Sequence, residues 1–430
     1  MEGSVVDLAN VQGKVILFII DPQNDFISGN LPVEGAEDDM KRIIKMITLN
    51  GSLIDEIHIS LDSHTPEHIA HAKFWEKNDS SEDVVKPHTM LALVDVSNNE
   101  LEKNQDNFHE NNYIIKDIDP KTKKIIGNTY LPKNKELLSY VKNYMFKLTY
   151  KGDSNDKPSL YIWPDHCIIT EQHLKDGNET NESETPTDGW KVHNQLWEAV
   201  IKWRHENNSE NKKLFIHEKG TNNLTEMYSI FSAEVPYEEL IEHVPIELKY
   251  SDPLSLPDPW NPYTESDLKH IAPYNLSTVF NEKLFDYVTY SKGSDGSKGP
   301  QNVVIFCGEA KSHCVRTSVE DYMKHIAEGQ KNKVCLLTNA MSNVGGFEDY
   351  GKHFETFFQG SKFETDQFNS ELVSKLKDGN KIEPVVKSES EQGLEQQLFK
   401  GGKRRTKKRK NTKKKRTNKK KRSNRRKNKK

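Results

Sequence analysis

The chain has 430 residues, of which 34% are hydrophobic and 30% charged, so any core must be concentrated in a few segments. The formal charge of −3 hides a division: the last 30 residues hold 20 of the 62 Lys and Arg and no acid, leaving 42 basic against 65 acidic residues in the rest. Four dispersed cysteines (167, 307, 314 and 335) argue against the framework of a small disulfide-rich secreted domain, and no apolar run approaches the ~20 residues of a membrane span. The first residues, Met-Glu-Gly-Ser-Val-Val-Asp, lack a basic flank before an apolar run, so an intracellular protein, cytoplasmic or nuclear and without a membrane partner, is expected.

Short apolar runs bounded by polar turns read as buried strands. VILFII (15–20) is the first and ends in Asp21; IDEIHIS (54–60) follows and runs into Leu61-Asp62-Ser63-His64. A strand-end Asp is often only a cap or turn residue. Asp62 and His64, however, stand two residues apart, and in extended chain that spacing projects both to one side, where one cation could be shared. A polar stretch over 76–158 reads as an insertion or long loop. LYIW (160–163) then leads to Asp165-His166-Cys167, where His166 is the candidate third ligand and Cys167 a competitor. Three Asp and His ligands would leave positions open for water or substrate, as catalytic metal sites do.

Residues 171–192 form a second insertion, too polar to bury a core. Helical spacing over 194–206 is followed by the strand KLFIHE (213–218) and Lys219, a cation that could lower the pKa of a nearby thiol. A third insertion covers 233–300, and its Pro-rich part, 251–263, could pack over a site as a lid. VVIFC (303–307) precedes a turn and a helix predicted over 313–329, capped by Gly329, which places Cys314 at a helix start, where thiolate is favoured. KVCLL (333–337) is the last strand.

Strand and helix alternate throughout. That predicts a doubly wound, mainly parallel α/β sheet with helices on both faces and its site beyond the strands' carboxyl ends. A single folded body is expected over 1–380, a linker over 381–402 and a disordered Lys/Arg-rich tail over 403–430. The tail's charge suits a nucleic acid or other polyanion held through phosphates, a nuclear address, or packaging in a virus particle.

Five blocks, IIDPQNDF, LDSHTPEH, WPDHC, EKGTNNLTEMYSIFS and GEAKSHCV, together resemble the isochorismatase-like cysteine hydrolases, and within them the nicotinamidases, over about 15–345. The resemblance implies Cys314 as nucleophile, Asp21 as proton acceptor and Lys219 orienting both. It also implies an oxyanion hole from the backbone N–H groups of Ala310 and Cys314, with a cis Glu309–Ala310 bond. A divalent metal, zinc or a similar ion, would lie on Asp62, His64 and His166, and Phe26 would pack on a small heteroaromatic amide, with Trp75 or Tyr228 as further aromatics. A homo-oligomer is compatible with this reading. Two positions depart from the family pattern: Ser63 stands in place of the usual Trp, and Thr65 where Pro is common, with Pro at 66. Other readings are a hydrolase of another small amide and a retired enzyme body serving as a nucleic-acid-associated structural protein.

Overall fold

The computed structural model describes residues 13–78, 85–101, 108–150, 159–169, 188–206, 212–248, 277–292 and 296–383. The 251–263 segment, most of 171–192 and the 403–430 tail lie outside the described residues, as does the linker beyond residue 383. Strands run in chain order as β1 (Val15–Ile20), β2 (Glu56–Asp62), β3 (Trp75–Lys77), β4 (Met90–Asp95), β5 (Tyr113–Ile118), β6 (Ile125–Pro132), β7 (Leu160–Tyr161), β8 (Lys213–Lys219), β9 (Tyr290–Lys292), β10 (Lys298–Gln301), β11 (Val303–Gly308), β12 (Val334–Leu337) and β13 (Ser361–Phe363). The longer helices are α1 (Ala36–Asn50), α2 (Leu138–Tyr150), α3 (Asn194–Glu206), α4 (Glu282–Thr289), α5 (Arg316–His325), α6 (Glu348–Phe357) and α7 (Ser370–Lys377).

The fold is mixed α/β. Six strands pair in the order β13-β12-β11-β1-β2-β8, and every pairing is parallel. β1 is buried at every position, as a central strand covered on both faces must be. Its odd residues Val15, Leu17 and Ile19 pack with Ile43 and Met46 of α1 and Leu196 and Val200 of α3. Its even residues Ile16, Phe18 and Ile20 pack with Leu284 of α4, Val319 of α5 and Phe354 of α6. The period-two alternation of one strand therefore feeds two cores.

Three local expectations change. The region 76–158, read as a loop or insertion, contains most of a five-stranded sheet ordered β3-β6-β5-β4-β7, antiparallel at every pairing, with α2 packed against it. Its inward residues Leu91, Leu93, Ile115 and Tyr130 join Tyr140 and Tyr144 of α2 in the first core. The apolar run at 160–163 belongs to this second sheet, since β7 pairs antiparallel with β4; a run of apolar residues does not specify its partner. The helix expected to reach Gly329 stops at His325, because Ile326 turns extended and is buried in the second core. It begins as a π-helical turn over Lys311–Val315, with Val315 N donating to Ala310 O.

Gly308 ends β11 with φ 107, and a Cβ there would lie 2.2 Å from Ile20 O. This close approach lets β11 turn beside β1 at the carboxyl edge of the sheet. Gly308→Ala is expected to lower stability by about 1–3 kcal/mol, measured as a fall in the urea midpoint; an unchanged midpoint would refute the constraint.

Candidate active site and metal centre

Because β1, β2, β8 and β11 are parallel neighbours, their carboxyl ends lie on one edge, and each delivers a polar group there. Asp21 follows β1 with a left-handed backbone (φ 41), and its side chain is fully buried. Its Oδ1 accepts from Ser60 Oγ at 2.6 Å, and its N–H donates to the same oxygen at 3.0 Å. Ser60 lies two residues before Asp62 on β2, so both face the same side.

Lys219 closes β8 and is almost fully buried. Its Nζ lies 2.9 Å from Asp21 Oδ2, 3.0 Å from Asp62 Oδ1, 3.2 Å from Met227 O and 3.6 Å from Cys314 Sγ. Burial alone would lower its pKa, yet Asp21, Asp62 and Cys314 together hold it well above the usual lysine range. The side chain is therefore a fixed ammonium. Burial also pushes the Asp21 carboxyl up, against the pull of Lys219.

Cys314 sits in the π-helical turn, and its Sγ shares the Lys219 ammonium with Asp21. Its thiol is pushed well above the ordinary range by burial, with Lys219 opposing and the two carboxylates reinforcing. This corrects the expectation that Lys219 and a helix start would make a resting thiolate: desolvation and two nearby anions outweigh one cation. The Glu309–Ala310 peptide bond is cis. Among the described residues the Ala310 N–H reaches no acceptor, while its carbonyl takes the N–H groups of His313 and Val315.

A second cluster adjoins this one. His64 Nδ1 faces Gly220 O at 3.0 Å and His166 Nδ1 faces Pro164 O at 2.8 Å, so each Nδ1 is the donor and each Nε2 carries a lone pair. Both Nε2 atoms face Asp62 Oδ2, at 3.1 Å and 3.4 Å. Among the described residues, no hydrogen-bond partner meets the buried His64 Nε2. Two imidazole nitrogens aimed at one carboxylate oxygen share either a proton or a metal ion with it, and ligands about 2.0–2.1 Å from zinc stand roughly 3 Å apart. The donor set fits a divalent metal.

His71 was missed by sequence reasoning. It lies close enough to His64 and His166 to offer a further ligand, and its Nε2 is 3.4 Å from His166 Nδ1. The spacing His64-His68-His71 was the available signal. His68 belongs to an alternative set with His64 and Glu226, but its Nε2 donates to Thr225 O at 3.0 Å and its Nδ1 accepts from Ala70 N at 3.2 Å. Cys167, the competing ligand, is buried in the core, and its N–H donates to Asp25 Oδ2 at 2.6 Å.

Gln23 was also missed. Its Oε1 accepts from Asp62 N and its Nε2 donates to Asp62 O, each at 2.8 Å, and the same Nε2 reaches Trp190 O. The Trp190 indole donates to Ser63 Oγ at 2.8 Å. A Trp from a distant segment thus reaches the small side chain that replaces the expected one. No local pattern could have revealed this contact.

Phe26 is buried, edge-on to His166 at 5.4 Å between ring centroids. Trp75 is a core residue whose indole donates to Ile69 O at 2.7 Å. Tyr228 accepts from Trp163 Nε1 at 2.8 Å, and its ring meets His313, the neighbour of Cys314, at 5.3 Å.

The fold and site define a mixed α/β protein with a buried Asp-Lys-Cys centre beside a histidine-carboxylate cluster. No family model matches the chain, and no curated protein matches it in sequence. Among solved structures, a nicotinamidase and pyrazinamidase of Acinetobacter baumanii is similar at 14% identity and a TM-score of 0.39, covering 82% of this chain and 97% of its own. The yeast nicotinamidase bound to the inhibitor nicotinaldehyde is similar at 15% identity and a TM-score of 0.37, covering 86% and 99%. A pyrazinamidase of Pyrococcus horikoshii in complex with zinc is similar at 14% identity and a TM-score of 0.33, covering 82% and 99%. Among the described residues no helix is long and apolar enough to cross a membrane.

Chelator competition followed by metal analysis should show one divalent ion bound per chain. His64→Ala and His166→Ala should each weaken binding by about 100-fold or more, and His71→Phe by about tenfold. Equal affinity in all variants would remove the site.

Proposed function

We propose that the chain is a cysteine amidohydrolase of the nicotinamidase type, converting nicotinamide and water to nicotinate and ammonia. The observation that carries the reading is the placement of the Lys219 ammonium within 3.0 Å of both Asp21 and Asp62 and 3.6 Å from Cys314 Sγ. A nucleophile, a proton acceptor and a fixed cation meet where an amide carbonyl could be attacked.

Asp21 takes the thiol proton as Cys314 Sγ bonds to the carbonyl carbon. The N–H groups of Ala310 and Cys314 receive the developing oxyanion, where preorganised donors act most strongly. Collapse breaks the C–N bond, the proton held by Asp21 passes to the leaving nitrogen, and ammonia departs from a thioester. Asp21 then accepts a proton from water, which attacks the thioester carbonyl; the proton returns to sulfur, releasing nicotinate. Lys219 keeps Asp21 and Cys314 aligned through both halves.

Asp62, His64 and His166 would hold a divalent metal, zinc being suited to that donor set, with His71 supporting His166 or adding a ligand. The ion would supply a Lewis-acid contact for a ring nitrogen or for water. Phe26 and Tyr228 are the aromatic candidates for packing on the heterocycle.

Ammonia release from nicotinamide by the purified full chain is the direct test. Cys314→Ala should abolish turnover, and Asp21→Asn should lower kcat by about 100-fold or more. Absence of ammonia with the wild-type protein would reject nicotinamide as substrate. Full activity in Cys314→Ala would reject the nucleophile.

A further inference from the structure

Behind the turn that carries Ala310 lies a pair of buried acids that the reaction above does not use. Glu309 immediately precedes Ala310, and Asp39 projects from α1; both are fully buried. They converge on one residue of the loop after β12. Ser342 Oγ donates to Asp39 Oδ2, and Ser342 N donates to Glu309 Oε2 at 3.3 Å. The carbonyl of Ser342 in turn accepts from Lys311 N at 2.7 Å, so the same residue grips the turn on its far side.

Charge balance is the difficulty. The charged group facing the pair is Arg42 of α1, whose Nη2 lies 2.7 Å from Asp39 Oδ1 and whose side chain is partly exposed. Besides Asp39 and Arg42, the titratable neighbour is the Cys307 thiol on β11, itself kept protonated by burial. Among the described residues Glu309 Oε1 is buried with no donor facing it, and the shared bonds to Ser342 bring the two carboxyl groups into each other's company. Such a pairing is attractive only with a proton between them. Burial and then Asp39 push the Glu309 carboxyl well above the usual range, which places the proton there.

We propose that Glu309 is a positioning residue: a neutral carboxylic acid that donates its proton to Asp39 and so fastens the Ala310 turn to α1 and to Ser342. The inference rests on the amidohydrolase reading, because the turn matters to catalysis only if the N–H groups of Ala310 and Cys314 meet an oxyanion. Ionisation of Glu309 would set two carboxylates against one partly exposed guanidinium and release the turn. Catalysis should then fall as pH rises through the pKa of Glu309.

The test uses the metal-loaded full chain and the variants Glu309→Gln and Glu309→Leu. Infrared difference spectra of wild type against Glu309→Gln should show a protonated-carboxyl stretch at neutral pH that the variant lacks. Glu309→Gln should keep kcat within about twofold, because its amide donates in the same direction, and should lose the alkaline fall in rate. Glu309→Leu should retain metal and KM but lose kcat by about tenfold or more, as small displacements of reacting groups do.

Absence of the carboxyl stretch, a Leu variant as active as wild type, or a Gln variant as impaired as Leu would each overturn the proposal. If Glu309→Leu does not fold, the infrared band and the alkaline limb of Glu309→Gln decide. If the wild-type chain releases no ammonia, the infrared comparison still reports on the acid pair, so failure of the amidohydrolase reading is seen separately.

Discussion

The interaction on which the rest depends is the burial of the Lys219 ammonium between Asp21 and Asp62, beside Cys314. A lysine taken out of water tends to shed its charge, and two carboxylates brought together tend to pick up protons. Here the carboxylates keep the ammonium, and the ammonium holds both carboxylates beside it and offsets part of the burial that pushes Asp21 up. Leaving either side uncompensated would cost roughly 3–5 kcal/mol. The same contact joins two chemical regions, since Asp62 offers Oδ1 to Lys219 and turns Oδ2 toward His64 and His166. One carboxylate thus meets the Lys219 ammonium on one oxygen and the histidine cluster on the other.

The arrangement needs rigid support, and the structure supplies it with neutral groups. Ser60 fixes Asp21 through two hydrogen bonds, and Gln23 clasps both backbone groups of Asp62. Each is buried and uncharged. Neutral donors can orient a carboxylate without altering the charge balance that Lys219 maintains. The paired acids Asp39 and Glu309 follow the same logic at the other side of the turn, where a shared proton would replace a second buried cation.

Much of this was legible from strand ends. The runs before Asp21, Asp62, Lys219 and the Cys314 turn are apolar and short, so a buried parallel sheet and a site at its carboxyl edge followed from pattern. The 76–158 region was not legible in that way: β5 alternates buried and half-buried positions, but the chain around it is polar enough to read as loop. Its antiparallel sheet gains its core from α2 and from the first sheet, neither of which is visible locally. His71, Gln23 and Trp190 stayed hidden for a related reason, since each acts through contacts with residues distant in sequence.

The sequence by itself determined which groups were present and at which edge they would emerge, because side-chain period and strand length are local properties of the chain. Tertiary structure decided their chemical states. Desolvation raised the Cys314 thiol although a lysine stood beside it, and backbone carbonyls at Gly220 and Pro164 chose the tautomers that turn two imidazole lone pairs toward Asp62. Charge state and tautomer depend on everything within a few ångströms, and only the folded chain brings those neighbours together.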